Sequence, residues 1–216
     1  QAKREETDDW WNGMNRIYNV LCYDYLYPNP KSVMAFVENH DTDRFLGDGK
    51  DTLALKQALA LLLTINRTPQ LYYGTEVLMN GTKSVTDGNV RKDFPGGWAD
   101  DKQNAFTAEG RTKAQNDMFR WTSRLLHWRQ GNEVITKGTQ TQFCSHKGIY
   151  VVARQYKGKS VMTVINGKNN AAELDVKRYA EIIGDAQKAV DVTTGRNVII
   201  SHNVKLRPRQ TMVLEF

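Results

Sequence analysis

Apolar residues follow two different rules along this chain, and the change falls near Gly131. Before it, apolar clusters alternate with polar stretches. Residues 10–27 are rich in aromatic and aliphatic side chains and predict a helix, broken by Pro28-Asn29-Pro30. Residues 32–37, Ser-Val-Met-Ala-Phe-Val, form a short, nearly continuous apolar run. Such a run predicts a parallel strand buried on both faces. Polar residues from Glu38 to Arg44 follow it. Residues 51–65 predict a strong helix with Asp51 or Thr52 as N-cap, and Pro69 stops it. Residues 70–74, Gln-Leu-Tyr-Tyr-Gly, predict a second buried strand. The stretch 79–110 carries turn signals such as Asn80-Gly81 and Asp87-Gly88, and loops this long are usually functional or disordered. A helix over 113–129 places Ala114, Met118, Trp121, Leu125 and Trp128 on one stripe.

After Gly131 the runs shorten and become β-rich. Residues 148–156 and 160–166, joined by Lys157-Gly158-Lys159, predict a hairpin. Further strands are expected over 172–176, 189–192, 197–200, 204–206 and 212–216, with Thr193-Thr194-Gly195 as a turn. Short strands with Gly and Asn turns argue an antiparallel β-sandwich. The fold class is therefore α/β plus all-β, with a βα-repeat unit over residues 1–130 and a β-sandwich over 131–216. Two lone parallel strands would leave open edges.

Composition narrows the function. Hydrophobic residues make 40% and charged residues 25%, as in ordinary globular chains. The net charge of +6 would suit nucleic acid, but the Lys and Arg residues are scattered and form no dense basic block. No nucleic-acid partner is expected. The longest apolar run, residues 53–65, is interrupted by Lys56 and Gln57 and falls short of the ~20 residues of a membrane span. The polar residues 1–9 show no signal peptide. Cys22 and Cys144 are unclustered and read as small core residues rather than a disulfide framework or zinc site. Periplasmic, secreted and cytoplasmic locations all stay open.

The chemistry concentrates in residues 36–45, Phe-Val-Glu-Asn-His-Asp-Thr-Asp-Arg-Phe. This is a buried strand that ends in ionisable side chains. In βα-barrels, catalytic groups sit at the C-terminal ends of strands. A carboxylate beside a His and near an Arg suits a polyhydroxylated ligand. A loop in which Asp41 or Asp43 merely caps a turn has the same residue pattern.

This segment resembles the fourth conserved region of the α-amylase superfamily, glycoside hydrolase family 13, at the end of barrel strand seven. The resemblance makes Asp41 the transition-state-stabilising carboxylate and His40 its neighbour on the same sugar ring. Asn39 and Arg44 are expected to bind substrate. Residues 68–76, Thr-Pro-Gln-Leu-Tyr-Tyr-Gly-Thr-Glu, resemble strand eight of that family. Residues 87–95 resemble the loop after it, in which Asp87 and Arg91 would hold the next sugar. Residues 94–98 and 104–107 are similar to the neopullulanase and cyclomaltodextrinase branch, and 131–216 to the family's C-terminal β-sandwich. Tyr72, Tyr73 and Trp98 are more ordinary as core or loop anchors than as sugar platforms. His127, His146 and His202 are scattered and read as structural or surface residues.

The resemblance implies the C-terminal part of a (β/α)8 barrel followed by a β-sandwich, acting on α-glucans such as pullulan, cyclodextrins and maltooligosaccharides. The family's Gly-x-Arg-x-Asp nucleophile segment and its acid/base Glu do not occur in this sequence. Retaining hydrolysis needs two carboxylates. The expectation is thus a fragment, inactive alone, whose partner is the N-terminal part of the barrel. No cofactor or metal is expected in this segment, and any calcium would be held by that N-terminal part. The competing expectation is a non-catalytic carbohydrate-binding or interaction fragment.

Overall fold

The computed structural model describes residues 10–216. The polar residues 1–9, in which no signal peptide was read, lie outside them.

Strand β1 (Met34–Phe36) pairs in parallel with β2 (Thr68–Gln70), Ala35 opposite Pro69. Helix α2 (Thr52–Thr64) connects them, and Asp51 caps it by accepting from Ala54 N–H at 3.0 Å. Before β1 lie α1 (Asn15–Leu21) and a 3-10 turn, Cys22–Leu26, where one long helix was expected.

Two expectations about these strands are corrected. The β1 run is not covered on both faces. Ala35 packs with Leu61 and Leu62 of α2, whereas Met34 and Phe36 on the opposite face are 55% and 41% exposed. Strand β2 also lies two residues earlier than expected. The chain turns after Gln70 because the Tyr72 carbonyl accepts from Thr75 N–H and Gly74 takes a φ of +80°. Those groups leave the ladder and close a tight turn.

After β2 come α3 (Asp87–Val90), α4 (Lys113–Arg129) and α5 (Glu133–Lys137). A capping box between Thr112 and Gln115 starts α4. Met118, Thr122 and Leu125 are buried, Trp121 and Trp128 half-buried, and Ala114 faces solvent.

The rest is an antiparallel six-stranded sheet ordered β3-β4-β5-β10-β7-β8. Its strands are β3 (Thr139–His146), β4 (Ile149–Tyr156), β5 (Lys159–Asn166), β7 (Lys188–Asp191), β8 (Arg196–Ile199) and β10 (Thr211–Glu215). The facing layer is small. It holds a ribbon of β6 (Ala172–Leu174) and β9 (Val204–Leu206) with the short helix α6 (Ala180–Ile183).

The central strands are buried on both faces, which explains their unbroken apolar runs. Val151, Met162 and Leu214 pack against Leu174, Tyr179, Ile182 and Leu206 of the small layer. Val161 and Val213 on the reverse face pack against Ala60 and Leu63 of α2 and Leu125 of α4. One sheet thus fastens both parts of the chain together. Arg154 stitches the junction, donating to the carbonyls of Thr64 (3.2 Å) and Gly138 (2.7 Å). Burial and the neighbouring Arg129 push its pKa down to about 10.

The cysteines need a further correction. Both are free, but Cys22 is exposed and Cys144 only half-buried, because α1 gives way to the 3-10 turn at the surface. No helix among the described residues is long and apolar enough to cross a membrane.

Candidate functional site

The loops leaving β1 and β2 converge on one side of the parallel pair. Asn39 turns the first loop outward. Its Oδ1 accepts from Asp41 N–H at 2.9 Å, and its own N–H donates to Thr42 Oγ1 at 3.0 Å. This turn lifts His40 and Asp41 into solvent, where Asp41 is 62% exposed. Asn39 itself is half-buried and commits its carbonyl oxygen to the turn.

Beneath the turn lies a buried polar knot. Glu38 lies two residues past the end of β1, and Arg44 lies 3.3 Å away, both essentially without solvent contact. Thr75 Oγ1 and Phe45 N–H also donate to the Glu38 carboxylate. Arg44 donates to the carbonyls of Val90 (3.0 Å) and Tyr73 (2.6 Å), and its guanidinium stacks 4.0 Å from the centre of the Tyr72 ring. This corrects the expectation that Arg44 binds substrate. Its donors point into the protein, and it fixes the first loop, the turn after β2 and the end of α3 together. Tyr72 and Tyr73 are its walls, and Tyr73 Oη also donates to the Lys92 carbonyl at 2.7 Å.

The second loop then meets the first. Gly81 makes the approach, accepting from Arg44 N–H at 3.1 Å and donating to the Gly47 carbonyl at 2.8 Å. Thr86 caps the single turn of α3, and Arg91 emerges at its end. Arg91 Nε donates to the His40 carbonyl at 3.0 Å. Its Nη2 reaches Asp41 Oδ1 at 3.2 Å and Asp87 Oδ2 at 3.3 Å. His40 Nε2 sits 3.1 Å from the other Asp41 oxygen. Lys83, which the sequence reading overlooked, pairs with Asp87 at 3.2 Å, donates to the Asp41 carbonyl, and gives its N–H to Asp43 Oδ1. Of the expected residues, His40, Asp41, Asp87 and Arg91 come together at the surface. Asn39 and Arg44 lie beneath them.

Chemically, the exposed cluster brings together the Asp41 and Asp87 carboxylates, a guanidinium, an ammonium and an imidazole. Forked donors beside carboxylate acceptors match vicinal hydroxyls. Outside the cluster, Asp101 Oδ2 accepts from Gly96 and Trp98 N–H, forming a turn that leaves Trp98 64% exposed rather than anchored. Among the described residues no group of three or more His, Cys, Asp or Glu side chains is placed to hold a metal ion.

Fold and site together define a small α/β unit with an exposed charged cluster, fused to an antiparallel β-sheet domain. Residues 140–215 match the cyclo-malto-dextrinase C-terminal domain family. A cyclomaltodextrin glucanotransferase of Paenibacillus macerans is 26% identical over 208 residues, covering 90% of this chain and 26% of the relative. An alpha-amylase of Niallia circulans is 28% identical over 204 residues, covering 90% and 34%. The solved gamma-CGTase of alkalophilic Bacillus clarkii superposes with a TM-score of 0.69 at 23% identity, over 94% of this chain and 29% of that one. The chain is thus similar to the C-terminal portion of cyclomaltodextrin glucanotransferases and alpha-amylases, in its sequence and in its fold. It spans about a quarter to a third of the length of the curated relatives it matches.

Proposed function

We propose that the chain forms one wall of the sugar-binding site of a retaining α-glucan glycosidase. In this reading β1 and β2 are strands seven and eight of a (β/α)8 barrel, ending near residue 130, and residues 131–216 are the β domain that follows. The nucleophile and general acid/base come from polypeptide outside the 216 residues. The rest of the barrel packs on the open face of Met34 and Phe36, which is too apolar to be left in water. Substrates are starch-type glucans, namely pullulan, cyclodextrins and maltooligosaccharides, in the manner of neopullulanases and cyclomaltodextrinases.

The observation that carries this reading is the posture of Asp41. It is exposed at the end of a strand, with His40 on one carboxylate oxygen and Arg91 on the other. A carboxylate held this way can exchange its ion-pair contacts for the hydroxyls of a sugar ring. Those bonds strengthen as oxocarbenium charge develops, which supplies several kcal/mol. Asp87 and Arg91 then grip the adjacent sugar. In a polypeptide that carries this segment with the remaining barrel, Asp41→Asn should lower kcat on order of a hundredfold to ten-thousandfold. Circular dichroism should be unchanged, since Asp41 makes only exposed contacts. Reducing-sugar release from pullulan at an unaltered rate would overturn the assignment. The 216 residues alone should release none.

A further inference from the structure

Where α2 and α4 meet the turn between β9 and β10, a cleft of about 440 Å³ opens, lined by none of the residues of the Asp41 cluster. Lys56 enters it from α2, Trp121 from α4, and Arg207, Arg209 and Thr211 from the turn and the start of β10. Two of these groups are buried donors with no acceptor among the described residues, namely Arg209 Nη2 and Thr211 Oγ1. A buried donor left unpaired forfeits its full hydration, and a charged one forfeits more. Arg209 is set in this posture from both sides. Asp51 Oδ2 holds its Nη1 at 2.9 Å, Gln57 Nε2 holds its carbonyl at 3.2 Å, and its φ of 54° is left-handed, rare for a residue with a Cβ. Lys56 adds a half-buried ammonium over the Trp121 ring, 5.8 Å from its centre, with no ion pair among the described residues. Burial pushes its pKa down, against the opposing attraction of Asp117.

We propose that this cleft binds an oxyanion of the phosphate type, bridging the helices to the β domain. Three cations and no carboxylate line it, and the nearby Asp51 is already engaged by Arg209. The unpaired groups are donors, and a tetrahedral oxyanion is the compact partner that presents several acceptors at once. A sugar site would need acceptors as well. The volume exceeds that of a bare phosphate, and Trp121 supplies an apolar wall, so the oxyanion is either free or carried on a small organic body.

The test is calorimetric titration of the 216-residue chain with inorganic phosphate and, separately, with glucose 1-phosphate, at constant ionic strength set by chloride. Saturable one-site binding is expected. Lys56→Met and Thr211→Val should each weaken it about tenfold or more, while Lys188→Met on the exposed side of β7 leaves it unchanged. Equal affinity for the two ligands identifies free phosphate as the occupant. An ester preferred by tenfold or more identifies an organic phosphate. Absence of saturable binding to either overturns the proposal, as does binding that both cleft variants leave intact. Maltose binding that Thr211→Val abolishes, without phosphate binding, overturns it in favour of a sugar.

Discussion

Replacing Arg44 with Met should cost far more than replacing Arg91 with Met, although each arginine pairs with a carboxylate at a similar distance, 3.3 and 3.2 Å. Burial decides the difference. Arg44 and Glu38 have lost their hydration, with side-chain exposures of 0% and 2%. Arg44→Met strands the Glu38 carboxylate without its countercharge and takes a donor from the Val90 and Tyr73 carbonyls. Breaking a buried pair from one side costs about 3–5 kcal/mol. Arg91 is 42% exposed and its partners can turn to water, so Arg91→Met should cost no more than about 1 kcal/mol. In urea unfolding with an m-value of roughly 3 kcal/mol/M, the midpoint should fall by about 1–1.7 M for Arg44→Met and by ~0.3 M or less for Arg91→Met. The double variant Glu38→Gln, Arg44→Met should lose less than the sum of its singles, because the stranded charge is gone. Equal midpoints for Arg44→Met and Arg91→Met, or strict additivity in the double variant, would refute the reasoning.

Gly81→Ala should open the contact between the two loops. Its Cβ would meet the Asn89 carbonyl oxygen at 2.2 Å, and that oxygen belongs to backbone that cannot swing aside. A loss of about 1–3 kcal/mol and faster proteolytic cleavage within residues 79–91 are expected. Thr112→Ala removes the α4 cap and half of its capping box, and should lower stability by ~1 kcal/mol in the same urea assay. Lys56 has a folded pKa depressed below its ordinary 10.5. The folded state therefore binds fewer protons than the unfolded state between those two values, and stability rises with pH across that window. Lys56→Met should melt higher than the parent at pH 7 in chloride, and the gap should close above pH 10.5. A gap that persists there would assign the effect to packing.

The exposed charged loop after β1 was legible because a burst of ionisable residues follows an apolar run, and strand ends are where such residues collect. What was not legible depends on contacts distant in sequence. Arg44 reads as an exposed loop cation beside Asp41 and Asp43. Only the turn after β2 brings Tyr72 and Tyr73 over it, some thirty residues later. Lys83 sits in a stretch of turn residues with no periodicity, so nothing local ties it to Asp87 and Asp43. Strand β3 could not be bounded from the sequence because Thr139–His146 is mostly polar, as suits an edge strand with a bulge after Phe143. The β4 and β5 runs, by contrast, announced themselves by the continuous burial that two covered faces require.

The exposed cluster cannot hold its own shape. Unit charges 4 Å apart in water attract by only about 1 kcal/mol, no more than the entropy of the side chains they would restrain. The order must come from below. Arg44 ties the carbonyl of Val90, one residue before Arg91, to Glu38, two residues past the end of β1 and three before Asp41. Its own N–H meets Gly81. The backbones carrying Asp41 and Arg91 are thus fixed by buried bonds, while the side chains above them stay weakly paired. That division suits sugar recognition. The groups are aimed in advance, which limits the entropy lost on binding, and a hydroxyl can displace an exposed ion-pair contact at little cost. If the proposed function holds, weakening the buried pair should therefore degrade sugar affinity through Asp41, although Glu38 and Arg44 are themselves buried beneath the cluster.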